Sequence, residues 1–255
     1  MTESSASWAQ KASENTKKDI LSQTNATKLP HLNELLEKVD RYYSKNADII
    51  RRFDQFAEEL KKNEINSYEA LAEQNIKLNA FFIELAQATE PALLQGNNFA
   101  FFGLTSTGKS TIINSILGQK VAETGYGEIT KHTKLYPGSN FFVWDNPGRN
   151  DEVSYMTMGY ISILKGLKRR LIVVQSTLKE NSSLMKLLDS IGLDYDIVVN
   201  KFDLVPEEVQ TSFREQIHRE KAQLGLKEVR HIFFVSAIDL NKLPDWFEMV
   251  QYLTN

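Results

Sequence analysis

The residues with the clearest chemistry run from Gly103 through Leu104, Thr105, Ser106, Thr107, Gly108, Lys109 and Ser110 to Thr111. Their spacing is G-x-x-x-x-G-K-[ST], placed after the apolar run FAFF at 99–102 and before the helix-like run STIINSIL. Two glycines let a backbone wrap a phosphate chain and point its N–H groups inward, with Ser106, Thr107 and Thr111 in the same cradle. Lys109 brings a point charge to the outer phosphates, and Ser110 offers a hydroxyl to Mg²⁺. Further on, the run FFVW at 141–144 ends in Asp145, followed by Asn146, Pro147 and Gly148. An acid at such a strand end serves the same metal, and the Gly148 N–H can donate to a terminal phosphate.

A second group of residues reads a base. Asn200, Lys201, Phe202 and Asp203 follow the run DIVV at 196–199. The Asp203 carboxylate can accept from both the N1–H and the 2-amino group of guanine, and adenine has neither donor. Asn200 would brace the base and the phosphate loop, and the stem of Lys201 would cover one face of the ring. Ser236-Ala237 follows HIFFV at 231–235, where its backbone would meet the guanine carbonyl. Each of these short motifs is weak alone; their order along the chain gives them weight.

Elements must hold these residues in place. From Asn98 onward, apolar runs at 99–102, 141–144, 171–174, 196–199 and 231–235 alternate with helix-like stretches at 109–118, 154–167, 181–191, 206–224 and 242–253. That alternation predicts a mostly parallel sheet covered by helices on both faces. Before it, residues 31–62 contain no Gly, and apolar side chains recur with a period of seven in three sets. One set includes Leu32, Val39, Phe53 and Leu60; another includes Leu35, Tyr42, Ile49 and Phe56. Three sets make a stripe wide enough to cover more than one neighbour. Ser67 is placed to cap a second helix, running from Tyr68 to about Thr89. The chain therefore reads as a polar tail over 1–30, a helical hairpin over 31–96 and an α/β domain over 97–255.

Composition narrows the classes. With 30 Lys plus Arg and 33 Asp plus Glu, the net charge is −3, which argues against a domain that coats nucleic acid. The 255 residues include no cysteine, so disulfides, Cys-ligated zinc and thiol nucleophiles are excluded. No apolar run approaches the roughly 20 residues that span a bilayer, and the N-terminus is too polar for a secretory signal. A cytoplasmic protein is expected, peripheral at a membrane if it assembles there. The basic residues Lys165, Lys168, Arg169 and Arg170 sit at a predicted helix end, where the helix dipole favours them.

The series G-x(4)-G-K-S-T, D-x-x-G, N-K-x-D and S-A resembles that of the Ras-like P-loop GTPase superfamily. Thr124-Gly125 to Thr130, Tyr136-Pro137 and the WDNPG run are similar to the interferon-inducible immunity-related GTPases and their bacterial relatives near the Era and dynamin-like groups. The resemblance implies GTP and GDP as ligands, Mg²⁺ as cofactor and GTP hydrolysis as a switch or assembly cycle. It places the Mg²⁺-binding switch threonine at Thr130, with Thr133 as rival, and makes Glu128 a switch residue. One departure stands out: Ras-like enzymes carry a water-orienting Gln directly after D-x-x-G, and Arg149 stands there. The resemblance therefore implies slow intrinsic turnover, or help from a homodimer or a related GTPase docked across the nucleotide face, with Arg149 supplying charge. A membrane-associated assembly also fits it. The alternative is a nucleotide-binding scaffold of a dynamin-like assembly with little hydrolysis.

Overall fold

The computed structural model of the 255-residue chain describes residues 14, 37, 40, 41, 44–122, 134–146 and 152–255. Among them, β1 (Asn97–Phe102), β2 (Lys134–Pro137), β3 (Phe141–Asp145), β4 (Arg169–Val174), β5 (Tyr195–Val199) and β6 (Val229–Phe234) form one sheet in the order β2-β3-β1-β4-β5-β6. All pairings are parallel except β2–β3. The expected runs of apolar residues are the five parallel strands. The sixth, β2, escaped the pattern because its four residues alternate in burial and lie at an edge.

Side-chain alternation along β1 sorts the core into two layers. Phe99 and Phe101 face one side, with Leu171, Val173, Val198 and Phe233. That side is closed by α4 (Lys109–Leu117) and α8 (Asp245–Thr254), through Ile112, Ile113, Trp246, Met249 and Leu253. Ala100 and Phe102 face the other side, with Ile172, Val174, Ile197 and Val199. There α5 (Met158–Gly166), α6 (Ser182–Ser190) and α7 (Glu207–Leu224) cover the sheet.

Three N-terminal helices extend that second layer: α1 (Ala47–Lys62), α2 (Tyr68–Gln74) and α3 (Ile76–Ala88). Their buried Phe53, Phe56, Leu60, Leu71, Phe82 and Leu85 belong to the same apolar cluster as the sheet residues. Phe56 stacks on Phe82 with ring centroids 5.0 Å apart, and Arg52 bonds Glu84 at 2.6 Å. The helix expected from Tyr68 to Thr89 is interrupted. Asn75 leaves the helical region at φ −142°, and its side chain accepts the Leu78 N–H at 3.0 Å, starting α3 afresh. An Asn that caps its own downstream turn competes with helix continuation. Apart from Glu14, the expected tail over 1–30 lies outside the described residues, as does most of the stretch from there to Ala47.

Polar links fasten these helices to the sheet's covering layer. The Tyr68 N–H donates to Ser183 Oγ at 3.1 Å, Ser182 Oγ donates to Glu69 at 3.1 Å, and Glu69 also pairs with Lys186. The Lys165 ammonium donates to the carbonyls of Ala86, Gln87 and Thr89 at 3.2, 3.0 and 2.5 Å, closing the C-terminus of α3. Because the helices share one core with the sheet, a cavity among them must be felt in global stability. Phe82→Ala should cost about 3–5 kcal/mol in denaturant unfolding, as for other fully buried aromatics. A cost below about 1 kcal/mol would show that the helices add nothing to the core.

Candidate functional site

The C-terminal ends of β1, β3, β5 and β6 gather the residues that the sequence singled out, at the edge where open parallel sheets place their ligands. β1 runs into Gly103, whose φ is +135° and where any Cβ would collide with the Val173 carbonyl. Gly108, at φ +94°, precedes α4; a Cβ there would strike the Asn200 amide. Ser106 between them also takes a positive φ of 67°. Its carbonyl is held by Gln175 Nε2 at 2.6 Å and by Lys201 Nζ at 3.1 Å, which offset that strain.

Lys109 is buried and donates to the carbonyls of Gly103 and Leu104, both at 2.8 Å. Burial holds its ammonium down to about 8, against a smaller upward pull from the Asp145 carboxylate. Next to it, Ser110 Oγ donates to Asp145 Oδ2 at 3.0 Å, and Asp145 is 1% exposed. A hydroxyl and a carboxylate meeting at a helix N-terminus are hard oxygen donors, and they suit Mg²⁺. Thr107 is buried, with Oγ1 donating to the Leu104 carbonyl at 2.9 Å; Thr111 lies half-buried in the first turn of α4.

The residues expected to read a base stand beside this loop. Asn200, 2% exposed, donates from Nδ2 to the Thr107 carbonyl at 2.9 Å and accepts at Oδ1 from the Ala237 N–H at 3.2 Å. One side chain thus ties the phosphate loop, the end of β5 and the loop after β6. Lys201 takes a positive φ of 60° and starts the 3-10 turn Phe202–Leu204. Phe202 is buried under that turn, with the Arg214 guanidinium 4.7 Å from its ring centroid, while Asp203 is half-buried. Ser236 is buried and its Oγ accepts the N–H groups of Ile238 and Asp239 at 3.3 and 2.9 Å, shaping the loop that carries Ala237.

The structure therefore brings together Gly103, Ser106, Thr107, Gly108, Lys109, Ser110, Thr111, Asp145, Asn200, Lys201, Asp203, Ser236 and Ala237. Glu128, Thr130, Thr133, Gly148 and Arg149 lie outside the described residues. Two contributors were not anticipated. Gln175 follows the last residue of β4 and anchors the phosphate loop; its position at the C-terminal end of a buried strand was the available signal. Ser115 donates to the Ala237 carbonyl at 2.7 Å, and nothing in the run STIINSIL distinguishes it from a surface helical serine.

Comparison with known proteins finds similarity to GTPases. Residues 98–201 match the family described as 50S ribosome-binding GTPase. GTPase Era of Ehrlichia ruminantium (strain Gardel) is 27% identical over 163 residues, covering 58% of this chain and 53% of that protein. Mouse mitofusin-2 is 27% identical over 110 residues, covering 43% of this chain but only 14% of its own length. The matched part thus spans about half of Era and a small fraction of mitofusin-2. Among solved structures, an Aquifex aeolicus Era variant bound to GDP.AlF4- aligns at TM-score 0.47 and 19% identity, over 62% of this chain and 55% of that one. Toc33 from Arabidopsis thaliana aligns at TM-score 0.47 and 12% identity, over 82% and 91%.

The buried ammonium makes a pH-dependent prediction. Lys109 titrates near 8 in the folded chain against 10.5 for an ordinary lysine. Between those values only the unfolded chain holds the proton, so raising pH favours folding. The stability of the ligand-free protein relative to Lys109→Met should therefore rise from pH 8 to pH 10, followed by denaturant unfolding at each pH. A difference that stays flat or falls would reject a desolvated charge at this position.

Proposed function

We propose that this chain, whose residues 98–201 match the family described as 50S ribosome-binding GTPase, is a Ras-like P-loop GTPase that binds GTP and GDP and hydrolyses GTP as a switch or assembly cycle. The observation that carries this reading is the double hydrogen bond of Asn200, which makes one site of the phosphate loop and the base-reading loops. Lys109 already aims its ammonium at two loop carbonyls, and phosphate oxygens are stronger, charged acceptors for it. The N–H groups around Gly108 and the first turn of α4 favour negative charge. Ser110 and Asp145 would hold Mg²⁺, which when bound neutralises charge on the transferring phosphoryl group. Asp203 would select guanine by accepting two hydrogen bonds that adenine cannot donate.

Turnover is proposed to depend on a second GTPase docked across the nucleotide face. The support is a residue type: Arg149 stands where Ras-like enzymes orient the attacking water with Gln. A partner would order the switch residues around Thr130 and Glu128 and exclude water, which strengthens charge interactions in the site. The resemblance of 124–130 to the immunity-related GTPases supports the same reading. Arg149 also favours a second function, a nucleotide-binding scaffold that hydrolyses almost nothing.

Two measurements test these statements. Asp203→Asn should weaken GTP binding by about 2–4 kcal/mol, from unpaired polar groups on the base edge, and should improve the relative binding of xanthosine nucleotides. Unchanged GTP affinity would reject Asp203 as the base reader. For hydrolysis, activity per molecule should rise with protein concentration, because the competent species is the dimer. Arg149→Ala and Glu128→Ala should each lower turnover with little change in GDP affinity. Turnover per molecule that is flat over about a hundredfold range of concentration would point to an external activator, and undetectable turnover to the scaffold.

A further inference from the structure

Two polar seams hold the N-terminal helices to the sheet's covering layer. α2 is fastened to α6 by the bonds of Tyr68 and Glu69, and α3 to α5 by the three carbonyl bonds of Lys165. Between α1 and residues 153–159 the surface instead opens into a cleft of about 330 Å³, half open to solvent. Its α1 wall includes Ile50, Phe53 and Ala57, and its facing wall Val153, Met156 and Met158. A mostly apolar concavity of this volume is at the small end of those that hold ligands. The unbranched methionines let the facing wall adapt to what it touches.

Two polar side chains line the cleft, Asp54 and Thr157. The Thr157 hydroxyl is already used: it donates to the Ser154 carbonyl at 3.0 Å and accepts the Tyr160 N–H at 3.4 Å, capping α5. Asp54 has no hydrogen-bond or ion-pair partner among the described residues. Other acids of α1 do: Asp48 pairs with Arg51 at 2.8 Å, and Glu59 with Lys62 at 3.5 Å. Ile50 lies four residues before Asp54 and Ala57 three after it, so the three share one face of α1. The carboxylate is therefore flanked by apolar side chains along the cleft. Burial of part of it, and then the Glu58 charge one turn on, hold Asp54 above the usual carboxylate range. A cation beside it would offset both effects.

We propose that this cleft binds an amphiphilic cation, an alkyl or aryl amine whose apolar body lies between α1 and residues 153–159 and whose ammonium pairs with Asp54. The apolar walls supply attraction roughly in proportion to the area they take from water. The acid selects the head group: it attracts an ammonium, holds a hydroxyl less strongly and repels a carboxylate. None of the lining residues belongs to the phosphate or base loops, so the inference stands apart from the nucleotide reading.

The test titrates the full chain at neutral pH with octylamine, octanol and octanoate, which share one tail and differ in head-group charge, and follows the amide NMR signals. Octylamine should bind at least about fivefold more tightly than octanol, a modest preference because the pair is partly exposed, and octanoate should bind most weakly. Asp54→Asn should bring octylamine to the affinity of octanol. Ala57→Trp, which fills the cleft, should weaken binding of octylamine and octanol by at least about fivefold. Both residues are exposed on α1, so both variants should fold. Equal affinities for the three tails would reveal an apolar patch without head-group selection and overturn the proposal. An octylamine preference that survives Asp54→Asn would place the cation elsewhere on the chain and overturn it as well. Absence of binding to the parent chain would show that the cleft takes no such ligand. If Ala57→Trp fails to fold, Asp54→Asn decides between these results.

Discussion

A single buried amide holds the site together. Asn200 is 2% exposed, and both ends of its side chain are used: one bonds the Thr107 carbonyl, the other the Ala237 N–H. A buried amide left half-satisfied would cost on the order of 1–3 kcal/mol, so the three loops that meet it are held in mutual register. Gly108 is part of the same constraint, because only a residue without Cβ lets the phosphate loop approach this amide. The loop that would hold phosphates and the loops that would hold the base are therefore positioned by one interaction.

The sheet makes that interaction available. β1, β3, β5 and β6 end at one edge, and their parallel pairing puts Gly103, Asp145, Asn200 and Ser236 at strand ends. Burial on both faces keeps that edge rigid: Phe99 and Phe101 pack toward α4 and α8, and Ala100 and Phe102 toward the opposite layer. The N-terminal helices thicken that opposite layer. Their buried side chains join the sheet's apolar cluster, and polar links through Glu69 and Lys165 fasten them to its covering layer.

How much of this was legible in the sequence depended on whether chemistry or packing chose the residue. Gly103, Gly108, Lys109, Ser110, Asp145, Asn200 and Asp203 stood out because binding of phosphate, metal and base would each demand particular residue types at fixed spacing, and the structure brings these positions to one edge of the sheet. The five apolar strands were readable because burial on both faces leaves continuous runs. β2 was not, since an edge strand of KLYP exposes every second residue. The break at Asn75 was hidden because helical periodicity continues through it, and only the cap on Leu78 reveals a second start. Gln175 and Ser115 act by hydrogen bonds to backbone carbonyls distant in sequence, which residue type does not announce; only the place of Gln175 just after a buried strand was a signal.

The central claim is that one site, tied by Asn200, holds the phosphates and reads a guanine. It is tested most directly by titrating the unaltered protein with GTP and with ATP side by side, in the presence of Mg²⁺, using calorimetry. Both nucleotides offer the same phosphates, so any difference reports the base. The account predicts that GTP binds at least about a hundredfold more tightly, because adenine leaves the Asp203 carboxylate without its two donors. Equal affinity for the two nucleotides would contradict it.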